Sequence, residues 1–270
     1  MNGLEWRVPT PNDVPRLAAF APGEWRVALD AVLMEHIGRS YFHARVVSDG
    51  TGLLAVGHSI RTGRTGWLGN IVVRPDARNR GLGSQMTREL IDALQRQGCS
   101  SILLVATALG EPVYRRLGFS TTSEYVFLDV PPMAPPATAA IRRLDPEDTP
   151  RVAALDAAVT DETRVDLLAQ FLPAGWVHTD PDGQVDGYFL PSCGAGLIVA
   201  SGEAAGVELL RFKHALCKRT AVVPAANTAA LTFLFERGAR ETARAPRMVM
   251  GQDVNWRPEG VFARAAGYCG

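Results

Sequence analysis

The 270-residue sequence predicts a mixed α/β protein made of two related domains. Apolar residues alternate with strand spacing in some segments and recur with helix spacing in others, and the two kinds of segment interchange along the chain. A proline-rich segment divides the chain near its middle, and a stretch close to the start is repeated just after it. The interchange predicts the α/β class, and the division with the repeat predicts two domains.

The composition is typical of a globular protein, with 47% hydrophobic and 21% charged residues. Basic and acidic residues balance at 28 each, which argues against a nucleic-acid binder. The cysteines are Cys99, Cys193, Cys217 and Cys269. Their spacing fits no zinc site, and scattered thiols predict a reducing compartment. Because no motif has the spacing of a metal site, we expect no metal. Because neither a leader peptide nor a membrane-spanning apolar run is visible, we expect a cytoplasmic protein with no membrane partner.

The first elements alternate between strand and helix patterns. Apolar residues alternate over residues 4–8, which predicts a strand, and residues 13–37 have helical spacing. Residues 41–60 predict two strands joined by a turn at Asp49 and Gly50, because an Asp-Gly pair favours a tight hairpin. These elements form the start of the first domain.

A long helix with one apolar face follows a further strand at residues 65–73. The apolar positions that define this face are Leu82, Met86, Leu90 and Leu94, and Gly98 is placed to end the helix. The last predicted elements of the first domain are a buried strand at 101–106, a short helix ending at Gly118 and a strand at 119–130.

The domain boundary is predicted at the segment "PPMAPPATAA", because four prolines in six residues prevent a regular helix or a central strand. We expect domains at residues 1–130 and 138–270, joined by a linker at 131–137. The segments that begin at Trp6 and Ile141 are identical at seven of fifteen positions. The identical pairs are Arg7/Arg142, Pro11/Pro146, Asp13/Asp148, Pro15/Pro150, Arg16/Arg151, Ala18/Ala153 and Ala19/Ala154. This repeat predicts that one domain is a duplicate of the other.

The most informative stretch is "RPDARNRGLGS", which joins the fourth strand to the long helix. The first amides of a helix lack partners, and the glycines at 81 and 83 let a ligand approach the backbone. Together with the arginines, this arrangement favours a phosphate or pyrophosphate site. The alternative from the residues alone is a solvated turn with surface arginines. A P-loop is excluded because no lysine follows the glycines. A dinucleotide-binding fingerprint is excluded because Met86 stands where a third glycine is required.

Two motifs in this half resemble the signatures of the GNAT N-acetyltransferase superfamily. The first is Val73-Arg74-Pro75 followed by R-x-x-G-x-G at residues 78–83. The second, about thirty residues later, has Tyr114 four residues before the pair Gly118-Phe119. The resemblance covers residues 4–130 and implies a central mixed, mostly antiparallel sheet flanked by helices.

The resemblance also implies a co-substrate and roles for particular residues. Acetyl-CoA would be held by Ile71, Val72, Val73, Arg78, Asn79, Arg80, Gly81, Leu82, Gly83 and Ser84. A backbone N–H near Val72 would polarise the thioester carbonyl, and Tyr114 would protonate the departing thiolate. Thr107 stands where the superfamily often has asparagine. No general base is evident, the residues considered being His58, Asn70 and Glu111.

The second half resembles a copy that has lost the co-substrate site. It lacks R-x-x-G-x-G and has Glu203 near the start of the corresponding helix, where a carboxylate would repel a pyrophosphate. Leu234 takes the tyrosine position and Ala239 the phenylalanine position. The whole chain therefore resembles tandem GNAT proteins with an active first domain and a degenerate second domain.

The function implied is transfer of an acetyl group from acetyl-CoA to a primary amine of a small molecule. The alternatives are a protein or peptide N-acetyltransferase and a non-catalytic acyl-CoA sensor. The acceptor itself and the oligomeric state are not predicted. Candidates for the acceptor pocket are Trp25, Asp30, Glu35 and Trp67.

Overall fold

The structure is a computed structural model, and it describes residues 3–17, 20, 29–216, 219–267 and 269. The chain forms two compact units. Unit 1 comprises Met1–Ser120 and Val249–Gln252, and unit 2 comprises Thr121–Met248 and Asp253–Gly270. The division lies before the proline-rich segment 131–137, because the strand at 120–129 pairs within unit 2.

Unit 1 is built around a mixed sheet. Its strands are β1 (Glu5–Arg7), β2 (Phe42–Asp49), β3 (Gly52–Thr62), β4 (Thr65–Val73) and β5 (Ser101–Val105), in that spatial order. Successive strands from β1 to β4 are antiparallel, whereas β4 and β5 are parallel. Residues 249–251 complete the sheet beside β5. The predicted mixed, mostly antiparallel sheet is confirmed.

The helices of unit 1 are α1 (Val14–Leu17), α2 (Leu29–His36), α3 (Leu82–Arg96) and α4 (Glu111–Arg116). The residues that define the predicted apolar face of α3 are all buried. A Cβ atom added to Gly66 would lie 2.5 Å from a methyl carbon of Leu94, so the glycine lets α3 pack closely on β4. The helix ends before Gly98, which has a φ of 83°. Among the described residues, no helix is both long and apolar enough to cross a membrane.

Unit 2 repeats this order of elements. Its strands are β6 (Ser120–Asp129), β7 (Ile141–Arg143), β8 (Trp176–Thr179), β9 (Val185–Leu190), β10 (Leu197–Ala200), β11 (Thr220–Pro224), β12 (Arg240–Gly251) and β13 (Val261–Ala263). Its helices are α5 (Thr149–Thr160), α6 (Val165–Leu168), α7 (Glu203–Ala215) and α8 (Thr228–Phe235). One set of neighbouring strands is β13-β10-β9-β8-β7, and another is β12-β6-β11.

The duplicated segment forms the same ion pair in both units. In unit 1 the Arg7 guanidinium donates two hydrogen bonds of 2.7 Å to the Asp13 carboxylate. In unit 2 Arg142 donates bonds of 2.7 and 2.9 Å to Asp148. Each aspartate also closes a capping box at the start of a short 3-10 turn, and the arginine holds the pKa of each carboxyl below its usual range. The residues repeated in the sequence are therefore repeated structural contacts.

Candidate active site

The arginine–glycine turn leads into an uncapped helix. Asn79 and Gly81 adopt left-handed conformations with φ of 62° and 80°. Asparagine and glycine are the residues that adopt this conformation at least cost, which explains their use here. Gly81 is the N-cap of α3, and no side-chain capping hydrogen bond is made at this end of the helix.

The backbone N–H groups of residues 79–84 have no acceptor among the described residues. They lie at the positive end of the α3 dipole, where an anion is stabilised. Arg78 and Arg80 are exposed beside them, and the Arg78 Nε donates to the Val73 carbonyl at 3.3 Å. A Cβ atom on Gly83 would lie 3.6 Å from the nearest side chain, which is ordinary packing distance. The turn therefore has the donors and the charge of an anion site.

An unpaired strand edge adjoins this turn. The parallel pairing of β4 with β5 extends from Thr65 to Trp67 only. No described strand pairs with β4 beyond Trp67 on that side, and we call this side of residues 68–73 the open edge. Its amides and carbonyls are available to an extended, amide-bearing ligand.

The hydrogen-bond pattern shows which backbone groups face the open edge. The Arg74 N–H donates to the Leu54 carbonyl, so the backbone groups of Val72, two residues earlier, also face β3. Those of Val73 face the open edge. The register places Val72 directly opposite Val56. The Val72 N–H itself therefore faces β3, and the prediction of a carbonyl-polarising N–H near Val72 concerns its neighbours on the open edge.

A β-bulge supplies further free groups on this side. Asn70 and Ile71 both stand opposite Gly57, and Asn70 has a φ of 47°. Gly57 turns its own backbone groups toward β2, since the Arg61 N–H donates to the Tyr41 carbonyl and facing alternates along β3. The bulge therefore leaves the backbone of Asn70 and Ile71 without partners in β3.

Tyr114 lies on α4, which follows β5. A Cβ atom on Gly110 would lie 2.8 Å from the Tyr114 ring, so the glycine makes room for that ring. The ring also contacts Phe119 edge-on, with centroids 6.0 Å apart. Burial raises the pKa of the Tyr114 phenol to about 12. Tyr114 therefore keeps its proton at neutral pH.

The residues considered as bases have other roles. His58 is fully buried, and burial followed by the influence of His36 lowers its pKa to about 3. The Glu111 carboxylate accepts bonds of 3.0 and 2.6 Å from Arg115. Asn70, in the β-bulge of β4, carries a neutral side-chain amide that takes up no proton at neutral pH. None of the three candidates, His58, Asn70 and Glu111, is a free base facing the open edge.

The acceptor candidates are in different environments. Trp67 is only 1% exposed and belongs to the core, so it is not a pocket residue. Asp30 and Glu35 are on α2 and are partly or fully exposed, and burial raises the pKa of the Glu35 carboxyl. Trp25 lies outside the described residues.

The corresponding positions of unit 2 retain the backbone geometry but not the chemistry. Gly238 follows α8 with a φ of 83°, as Gly118 follows α4 with a φ of 98°. Leu234, at the tyrosine position, is fully buried. Glu203 is the first residue of α7 and places a carboxylate at its positive end. Unit 2 therefore has no tyrosine at the position of Tyr114 and a carboxylate at the start of the helix that corresponds to α3.

Comparison with known families identifies the first half of the chain. Residues 16–119 match the acetyltransferase (GNAT) family. This half belongs to that family. Its members are acyltransferases that use acetyl-CoA and acetylate amines. The predicted acyltransferase class is therefore confirmed, with the acceptor left open.

Solved structures show that the likeness extends over the whole chain. A candidate acetyltransferase from Pyrococcus horikoshii is 17% identical with a TM-score of 0.85, over 100% of this chain and 97% of its own. A GCN5-related N-acetyltransferase from Sphaerobacter thermophilus is 18% identical with a TM-score of 0.68, over 93% and 96%. A fungal glucosamine N-acetyltransferase region, part of a multi-domain β-N-acetylglucosaminidase, is 13% identical with a TM-score of 0.66, over 91% and 38%. No curated protein matches the chain. The predicted two-domain fold is thus confirmed.

Proposed function

We propose that unit 1 transfers an acetyl group from acetyl-CoA to a primary amine of a small molecule, with Tyr114 as general acid. The observation that carries the proposal is the open edge of β4, which leads directly into the free amides of residues 79–84. Because β4 and β5 are parallel, the elements that follow them leave the same end of the sheet. Tyr114 therefore comes from the same end of the sheet as the anion site.

The residues fit the parts of coenzyme A. The amides of residues 79–84, with Arg78 and Arg80, suit the pyrophosphate. The backbone groups of Ile71 and Val73 suit the amide-bearing pantetheine arm, which binds as an added strand would. Asp76 lies near this site, but its carboxylate is paired with the Arg74 Nε at 2.6 Å. The local charge therefore remains favourable to an anion.

In the reaction a C–N bond forms as the C–S bond of the thioester breaks. We assign the carbonyl-polarising N–H to Ile71, because Ile71 faces the open edge and Val72 does not. Tyr114 gives its proton to the sulfur and regains one from solvent. The amine gives its proton to water, since His58 is buried, Glu111 is ion-paired and Asn70 carries a neutral amide.

The unit 2 copy is proposed to bind no acetyl-CoA, so one chain binds one molecule. Calorimetric titration with acetyl-CoA is expected to give a stoichiometry near one. A stoichiometry near two would contradict this assignment.

A thiol-release assay over a panel of amines tests the function. We expect release of coenzyme A with small primary amines and slower release with peptides. Tyr114→Phe keeps the ring and serves as the matched variant. Absence of turnover with every amine, despite acetyl-CoA binding, would contradict the catalytic proposal and support a sensor.

A further inference from the structure

In unit 2 the chain itself fills the space between β10 and β11, which we call the slot. It corresponds to the space beside the open edge of β4 in unit 1. By order of elements β10 corresponds to β4, and β11 to β5. In unit 2 the strand β13 runs antiparallel along β10, with Ile198 opposite Ala263 and Val199 opposite Val261. On the side toward β11, the Arg264 N–H donates to the Val222 carbonyl at 2.8 Å. Residues 258–264, which we call the β13 segment, therefore lie between the two strands.

A side-chain clamp holds the β13 segment in place. The Asn227 Nδ2 donates to the carbonyls of Glu259 and Val261, at 2.9 and 3.0 Å. The Asn227 Oδ1 accepts the Ala230 N–H, which begins α8. Asn227 is fully buried, so each of its bonds is made away from water.

The equivalent residue of unit 1 has no comparable clamp. Thr107 accepts the N–H of the residue three positions later, Gly110, just as Asn227 accepts that of Ala230. A threonine has no amide to donate to a neighbouring strand. Asn227 therefore adds to this shared capping role a pair of donor bonds directed at a peptide backbone.

The packing around the β13 segment is shaped to it. A Cβ atom on Gly206 of α7 would lie 2.2 Å from the Phe262 ring, so only glycine leaves room for this ring. A Cβ on Gly260 would lie 2.8 Å from a Val159 methyl and 3.0 Å from the Ala200 carbonyl. Glycine is the least favourable residue inside a helix except proline, so its presence at 206 has a packing reason.

We propose that unit 2 has converted the slot into a groove for an extended peptide strand, with the β13 segment as its resident ligand. This occupant excludes an acyl-CoA arm from unit 2, in addition to the missing anion site. The comparison of the two units rests on the proposed function in one respect, the assignment of the open edge of unit 1 to the pantetheine arm. The groove itself rests on the contacts within unit 2.

Hydrogen exchange measured by mass spectrometry on the full chain tests the groove. Asn227→Ala should make the amides of residues 259–264 exchange about ten- to a hundredfold faster, because two buried bonds are lost. Gly206→Ala should have the same effect by displacing Phe262, although alanine favours the helix. Arg142→Ala is the matched control, since it breaks an ion pair of the same unit and leaves these contacts intact. Unchanged exchange in both test variants, or equal acceleration in the control, would overturn the groove.

Saturating acetyl-CoA distinguishes this proposal from the function of unit 1. We expect slower exchange at residues 68–73 and no change at 259–264. Faster exchange at 259–264 would show that acetyl-CoA displaces the β13 segment, and would overturn its assignment as resident ligand. An unchanged exchange rate at residues 68–73 would count against the proposed acetyl-CoA site in unit 1. The variants Asn227→Ala and Gly206→Ala would still test the groove in unit 2.

Discussion

Two buried histidines predict that unit 1 loses stability in mild acid. Phe42 contacts both rings, with centroids 5.5 Å from His36 and 5.0 Å from His58. Burial is the main cause that lowers the pKa of His36 to about 4 and of His58 to about 3. In the unfolded chain the same groups titrate near 6.5. Both histidines are therefore neutral in the fold at a pH at which the unfolded chain protonates them.

The direction of the effect follows from these pKa values. A folded pKa below the unfolded value means that protons bind the unfolded chain more readily, so stability falls as pH drops below 6.5 and continues to fall toward the folded pKa. One pH unit is worth about 1.4 kcal/mol for each such group. Between pH 7.5 and 5.5 the free energy of unfolding should fall by about 3 kcal/mol for the pair.

Urea denaturation followed by circular dichroism at the two pH values measures this loss. The variants His36→Gln and His58→Gln should each show about half of the wild-type loss, because one titrating group remains. The quantity compared is the change in the free energy of unfolding between the two pH values. A general destabilisation of either variant therefore does not affect the comparison. His43, whose pKa is also lowered by burial, is common to all three proteins. An equal loss in the wild type and both variants would refute the reasoning.

Three further predictions concern the site of unit 1. Arg78→Ala should weaken acetyl-CoA binding in calorimetry. Gly81→Asp should weaken it at least about tenfold more than Gly81→Asn, because both side chains tolerate the left-handed backbone and only aspartate is charged. Equal affinities of Gly81→Asp and Gly81→Asn, with Arg78→Ala binding as the wild type does, would remove the anion site from the mechanism. Tyr114→Phe should lower kcat about ten- to ten-thousand-fold with little change in the KM for acetyl-CoA, and a wild-type kcat would assign the proton to water. Gly110→Ala should lower kcat by displacing the Tyr114 ring, whose carbon lies 2.8 Å from the added Cβ, while the affinity measured by titration stays constant; an unchanged kcat would mean that the ring adjusts without loss.

Local patterns explain why much of unit 1 was predictable. The four-residue spacing that starts at Leu82 predicts the buried face of α3, and the helix forms at Leu82–Arg96. The strand predicted at 65–73 is β4 with the same bounds. The pairs Arg7–Asp13 and Arg142–Asp148 were visible as a repeat, since their contacts span only six residues. Each of these features depends on neighbours along the chain.

Other features depended on contacts that sequence spacing does not encode. The direction of the Val72 N–H follows from the pairing of β4 with β3 and from the bulge at Asn70, so the motif alone could not say which N–H near Val72 faces the open edge. Trp67 was a candidate for the acceptor pocket, yet its side chain is packed inside the core. His58 was one of three residues considered as the general base, and its burial in the fold argues against that role.

By itself the sequence determined the order of elements, the duplication and the glycine turn with its charges, because periodicity, capping and left-handed conformations are properties of adjacent residues. Only the tertiary structure decided that β4 has an open edge and that the equivalent edge in unit 2 is covered by β13. Strand pairing joins residues far apart in the chain, such as Val199 and Val261, and the choice of partner is made by packing across the whole unit.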